Sequence, residues 1–405
     1  MTNRAKSMLS VAKGRRNHFL AAAVWSTAFS RTIGLRILAI IVAFSCLPIR
    51  GNGRSAGQPS TLKRQPATLA RLGADESIQL SRQQMDRRGR YSPGRPWVPE
   101  NGLPSADSAA EAPSDAMAPP PFFVTAFGTA ASGNGQFLFP TGVALDRSGN
   151  VYVSDNGNGR IQKFNSSGAF LAAWGSQGSG DGQFEFPIGV AIDAAEDVYV
   201  TDYEDGRVQK FDRNGRFLMK FGSLGSGDGQ FVHPGQLAVD GAANVYVLDL
   251  SGHKVLKFDS AGNFIKKWGG LGSATGQLFF PSGIAINASG SVFVADQFNY
   301  RVQKFDSSGN FLGVIGGHGT GNGQFQQPLA ICLDSGGNLY VTDNRTGLVQ
   351  KLDPAGAFIS KWGSVGTGDG QFDYPSGIAV DASGNAFVCD QSNQRIQKLD
   401  SSGNL

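Results

Sequence analysis

The chain has 405 residues, with 36 Lys+Arg against 32 Asp+Glu (formal charge +4), 56 Gly, and only three Cys and four His. So few thiols and imidazoles exclude zinc-finger, RING and B-box modules and leave no disulfide framework. The charge is unevenly spread. Residues 1–122 carry 17 Lys+Arg against 7 Asp+Glu and residues 123–405 carry 19 against 25, so the second part is mildly acidic and argues against a nucleic-acid partner.

Residues 1–49 read as an export signal or membrane-anchor region. The uninterrupted apolar run Ile37–Leu47 follows Arg31 and Arg36, and no acidic residue precedes Asp75. The run is short for a membrane span, which needs about 20 residues, and suits the apolar core of a signal peptide. Arg15-Arg16 with Phe19-Leu20 is one residue off a twin-arginine signal, and Ala43-Phe44-Ser45 before Cys46 fits a lipobox poorly. The expected location is extracytoplasmic, with any membrane tether through residues 33–49. An acid-free, Arg/Ser-rich start leaves organelle targeting as the alternative. Residues 50–121 are rich in Pro, Ser, Ala and Arg with few large apolar groups, and predict a disordered linker.

From residue 122 onward the chain repeats itself. Gly-Gln-Phe (once Gly-Gln-Leu) places Gln136, Gln183, Gln230, Gln277, Gln324 and Gln371 at intervals of 47 residues. A period of about 40–50 residues marks a propeller or solenoid. Within the fourth copy, Gly276–Gly316, short apolar runs predict strands a (Gly283–Ile286), b (Ser291–Ala295), c (Arg301–Phe305) and d (Phe311–Ile315). Asp-x-x-Gly segments follow strands a and c, as at Asp146–Gly149 and Asp306–Gly309. Such Asp side chains bond backbone N–H groups across tight turns, which explains them without calcium.

Strand b has an aromatic at Tyr152, Tyr199, Tyr246, Phe293, Tyr340 and Phe387, and closes on Asp in every copy. A cation follows five residues later, giving the pairs Asp155–Arg160, Asp202–Arg207, Asp249–Lys254, Asp296–Arg301 and Asp390–Arg395, while Leu348 breaks the pattern after Asp343. An active site needs one arrangement rather than six, so these pairs are expected to be structural, pinning the b–c turn.

The string Pro-x-Gly-[Val/Ile]-Ala-[Val/Ile]-Asp-x-x-Gly-Asn-x-Tyr-Val-x-Asp-x-x-Asn-x-Arg-[Val/Ile]-Gln-Lys-Phe-Asp, best kept in copies one, four and six, resembles the NHL repeat. The resemblance covers Phe123 to the C-terminus. It implies an all-β six-bladed β-propeller with four antiparallel strands per blade over residues 122–405. Strand d closes each copy, and an orphan d strand at Phe123–Gly128 precedes the first. That strand is expected to complete the last blade and leave no open edge.

Loops b–c and d–a are expected to share one face, the ligand face. The residues before the repeat Pro, Phe139, Phe186, His233, Phe280, Gln327 and Tyr374, are placed around the channel mouth, with packing between blades as the alternative for the Phe residues. Tyr203, His253, Asn344 and Arg345 complete the candidates. Copies three and five depart most from the common pattern, so a one-sided ligand patch is expected across those blades. The Gly-rich d–a loops lack the Lys-Ser/Thr and helix of a phosphate-binding loop.

No catalytic residue, metal site or cofactor is legible. The expected function is a non-catalytic exported scaffold, a monomeric propeller, that binds a protein, peptide or glycan through its loop face. The resemblance carries two other roles. The peptide-amidating lyase, a related propeller, holds zinc with three His, and this chain has His233, His253 and His318 at non-equivalent repeat positions. Tripartite-motif NHL proteins serve ubiquitin ligases, but the RING and B-box are absent here.

Overall fold

The computed structural model describes residues 123–400, so the signal, the linker and Cys46 lie outside the described part. Six four-stranded antiparallel sheets follow one another as blades. In blade 1 the strands are a (Pro140–Leu145), b (Val151–Asp155), c (Arg160–Phe164) and d (Phe170–Trp174). Single-turn 3-10 segments at Asn156–Asn158 and Gln297–Asn299 are the helical elements among the described residues. No described helix is long and apolar enough to cross a membrane.

Ring closure follows the expectation. Phe123–Phe127 pairs antiparallel with strand c of blade 6, Arg395–Leu399, with Phe123 opposite Leu399 and Phe127 opposite Ile396. This is the register of blade 4, where Phe311 faces Phe305 and Ile315 faces Val302. Strand a begins two residues earlier than expected, at Pro281 rather than Gly283, because Pro281 still faces Asp296 across a bulge. Strand b correspondingly runs Val292–Asp296. Proline tolerates this first position because it has no N–H to lose from the ladder.

The core lies between blades, not within them. One cluster joins Phe387, Cys389 and Ile396 of blade 6 to Val143, Val151, Val153 and Phe164 of blade 1, with Phe137 wedged among them. Phe137, Phe184, Phe231, Leu278, Phe325 and Phe372 are all fully buried, which accounts for the apolar third position of the Gly-Gln-Phe signature. The preceding Gln folds back, and Gln136 Oε1 accepts the Gly133 N–H. Strand b is buried along its whole length in every blade, as expected of a strand covered on both faces.

On the a–b turn, Asp146 Oδ1 accepts the Ser148 and Asn150 N–H groups, and Oδ2 accepts the Tyr152 hydroxyl. Lys163 Nζ lies 4.7 Å from the Tyr152 ring centroid and 3.4 Å from Asp146. The turn thus uses its carboxylate internally. Cys332 and Cys389 are free, and burial pushes both thiols up.

The six inner strands pack tightly around the axis. A Cβ on Gly377 would lie 2.5 Å from the Thr141 carbonyl oxygen of blade 1, so only glycine lets these backbones approach. Ser376 Oγ donates to the Pro140 carbonyl across the same junction. The axial cavity, lined by Val143, Val190, Gln236, Leu237, Ile284, Ile331 and Ile378, measures about 60 Å³.

Deleting Phe123–Phe127 exposes the Arg395–Leu399 edge and removes the Phe127–Phe164 ring contact at 4.9 Å. The expected result is a lower melting temperature and a mass that rises with protein concentration through edge pairing. Light scattering and thermal denaturation measure both; an unchanged melt and mass would refute closure by this strand.

Candidate functional site

The b–c turns and d–a loops do share a face, and one carboxylate in each blade ties them together. Asp155 is fully buried. It accepts the Leu138 N–H at 2.7 Å, the Arg160 Nε–H at 2.7 Å, and the side-chain amides of Asn158 and Gln162. Arg160 Nη2 continues to the Gly133 and Gln136 carbonyls, and Gln162 Nε2 donates to Gln136 O while its Oε1 accepts the Gly135 N–H. The expectation that the pair pins the b–c turn is therefore extended. The same Asp also fixes the d–a loop, 17 residues earlier in sequence.

The knot recurs with substitutions. Asp202–Arg207, Asp296–Arg301 and Asp390–Arg395 pair at 3.2, 2.8 and 2.7 Å, and Asp249–Lys254 at 3.4 Å. In blade 5, where Leu348 replaces the cation, Asp343 keeps the d–a loop bonds from the Gln326 and Gln327 N–H groups and also accepts the Arg345 and Thr346 N–H groups of the b–c turn. Burial raises the Asp155 carboxyl above its usual range, and pushes Asp202 up to about 6 against the opposing pull of the Phe186 N–H and Arg207.

The candidate ligand residues stand at the entry to the inner strands, and the structure joins them pairwise between neighbouring blades. Tyr203 of blade 2 stacks on His233 of blade 3 with ring centroids 4.2 Å apart and planes 6° apart. His233 Nδ1 is 2.9 Å from Ser251 Oγ. His253 Nδ1 accepts the Phe280 N–H of blade 4. Burial raises the Tyr374 phenol of blade 6, with Asn344 of blade 5 pulling the other way. Gln394 Oε1 of blade 6 accepts the Phe139 N–H of blade 1, so Gln394 does the work of His253 at the equivalent repeat position. Phe139, Phe280 and Tyr374 have φ of 55°, 58° and 61°. Phe186 and Gln327 direct their N–H groups to the Asp of their own blade. Arg345 is exposed and Asn344 is buried.

The three propeller histidines are not gathered. His233 sits with Tyr203 and Ser251, His253 with Phe279 and Phe280, and His318 with Tyr300 at 4.3 Å. Among the described residues no group of three or more His, Cys, Asp or Glu is placed to hold a metal ion.

The largest aromatic group on this face lies on blade 4, between the two blades singled out from sequence. Phe279 is 40% exposed and Leu271 62% exposed. Phe279 meets Phe298 at 5.3 Å and His253 at 5.7 Å, and Phe280 meets Phe298 at 5.6 Å. Sequence reasoning missed Phe279, Phe298 and Tyr300. The signal lay in the repeat columns, since the equivalents are Leu138, Glu185, Val232, Gln326 and Asp373 for Phe279 and Gly157, Glu204, Ser251, Arg345 and Ser392 for Phe298. Only copy four is aromatic in both columns, and Tyr300 adds a third.

Two predictions follow from these contacts. Asp155→Ala leaves Arg160 and the Leu138 N–H without their buried partner and is expected to destabilise by about 3–5 kcal/mol, read from denaturant unfolding. His253 is held below the usual imidazole value by burial, so the folded state binds its proton less readily than the unfolded chain. Its contribution is full above the unfolded value and is lost as pH falls through that window. Because Gln394 makes the same bond, His253→Gln should keep the neutral-pH melting temperature and weaken the loss on acidification; melts from pH 7.5 to 5 test this.

Models of the NHL repeat match residues 137–164, 325–352 and 372–399, and a model described as a 6-bladed beta-propeller matches residues 195–268. No curated protein matches. Among solved structures, a protein of unknown function from Bacteroides thetaiotaomicron is 19% identical, with TM-score 0.54 over 68% of this chain and 72% of its own. A gluconolactonase from Xanthomonas campestris is 15% identical, with TM-score 0.49 over 69% of this chain and 97% of its own. Virginiamycin B lyase from Staphylococcus aureus is 14% identical, with TM-score 0.48 over 67% of this chain and 82% of its own. The first likeness is one of fold alone, and the other two are too distant to bear on activity. Repeat matches, sheet order and ring closure together make this chain an NHL-repeat protein folded as a six-bladed β-propeller.

Proposed function

We propose that the propeller is a binding module that takes a protein, peptide or glycan partner on its loop face, anchored at the aromatic group of blade 4. The observation that carries this reading is the exposed Phe279 ring, backed by Phe298 and His253, with exposed Leu271 bridged to Leu278 on the same d–a loop. Exposed apolar surface costs solubility, and rings already held by neighbours lose little freedom on binding. Buried aromatic anchors dominate the energetics of protein interfaces, and an exposed ring face also suits the apolar face of a sugar. The same reading has the propeller exported, supported by the basic and apolar composition of residues 31–47.

The test screens the purified full chain against glycan arrays and displayed peptide libraries. For any binder found, the triple change Phe279→Ala, Phe298→Ala, Tyr300→Ala should lower affinity by at least about tenfold, as expected for loss of an aromatic anchor. Ser335→Ala, on an exposed a–b turn, should leave it unchanged. Binders indifferent to the triple change and sensitive to the a–b turns would move the site to the opposite face.

A further inference from the structure

The stacked pair on blades 2 and 3 brings together a nucleophile and a base that neither sequence motif nor repeat pattern announced. Ser251 Oγ lies 2.9 Å from His233 Nδ1. Both are half-buried on the loop face, reachable from solvent yet shielded on one side. The His233 ring is held by its parallel stack on Tyr203, and its backbone N–H is fixed by the buried Asp249. No other blade has this set, since the equivalents of His233 are Phe139, Phe186, Phe280, Gln327 and Tyr374 and those of Ser251 are Gly157, Glu204, Phe298, Arg345 and Ser392. The only other serine in that column, Ser392, has Tyr374 and no imidazole beside it.

We propose that Ser251 is a nucleophile activated by His233, and that this corner of the loop face cleaves a small carboxylic ester. A serine is a weak nucleophile until an adjacent base takes its proton. An Nδ1 that accepts from Ser251 requires the tautomer with the proton on Nε2. Ser251 Oγ bonds to the acyl carbon while its proton passes to His233 Nδ1. The tetrahedral adduct collapses, the ester C–O bond breaks, and the alcohol leaves carrying that proton. Water then gives a proton to His233 and attacks the acyl-serine; the acid departs and Ser251 regains its proton. Tyr203, pushed up to about 12 by burial and the Glu204 charge, keeps its phenol proton while its ring supports the imidazole.

Burial holds His233 below the usual imidazole value, against the opposing charges of Glu204 and Asp249. The ring is then neutral, and able to act as a base, at neutral pH.

The test treats the full chain with a fluorophosphonate, whose phosphorus stands in for the acyl carbon and whose fluoride leaves as Ser251 gives up its proton. Intact mass and peptide mapping locate the adduct. One adduct on Ser251 is expected, absent in Ser251→Ala, and formed about 100-fold more slowly in His233→Gln, in the range for loss of a general base. The wild-type labelling rate should be flat above the usual imidazole value and fall at lower pH. Mapping on the wild-type chain needs no variant, so a poorly folded substitution does not blunt the test. An adduct on another serine, no adduct, or equal rates in His233→Gln would overturn the assignment. The Ser335→Ala variant, on an exposed a–b turn away from this corner, should label at the wild-type rate.

Discussion

The buried carboxylate at the end of strand b is the constraint on which the rest of this propeller depends. A desolvated charge is tolerable only if its lone pairs are filled, and Asp155 fills them from four directions, the d–a loop, the b–c turn, strand c and its cation. That demand fixes the path of two loops at once. It also explains why Gln follows at Gln162, Gln209, Gln303, Gln350 and Gln397, each with its amide directed to the d–a loop. Where a partner is missing, a substitute appears. Lys254 stands in for Arg in blade 3, and around Asp343 the b–c turn brings up the Arg345 and Thr346 N–H groups.

With both loops tied down, the face they form is a rigid frame on which few positions are free to vary. The d–a loops, although rich in glycine, are pinched by parallel bridges such as His318 with Phe325 and Leu271 with Leu278. Side chains that leave the frame are therefore presented in fixed places. This is the condition a binding or reacting group needs, because a contact held in advance costs less ordering when it is used. The exposed rings of blade 4 and the Tyr203–His233–Ser251 corner both stand on such supports.

Closure adds a second layer of restraint. The inner strands approach so closely at Gly377 and Gly142 that each blade's position depends on the next. Because every core cluster draws on two blades, no blade is complete alone, and the strand Phe123–Phe127 serves the last blade as much as the first. A repeat protein of this kind gains stability at its interfaces, and a ring has one interface more than a linear array of the same length.

Much of this was legible from the chain. The period of 47 residues, the strand order, the turn carboxylates and the closing strand are encoded locally, because alternation, turn chemistry and repeat spacing act over a few residues at a time. Strand a was placed two residues late at its start and strand b one residue early, since the pairing of Pro281 with Asp296 across a bulge is a property of the sheet and not of the segment. The candidate site was legible by position but not by contact. The sequence determined that His233, Tyr203, His253 and Phe280 stand on the loop face. Only the tertiary structure decided that Tyr203 meets His233, that Ser251 meets its Nδ1, and that His253 holds Phe280. Those meetings cross from one blade to the next or between loops, and their distances follow from the rotation between packed blades, which no local pattern records.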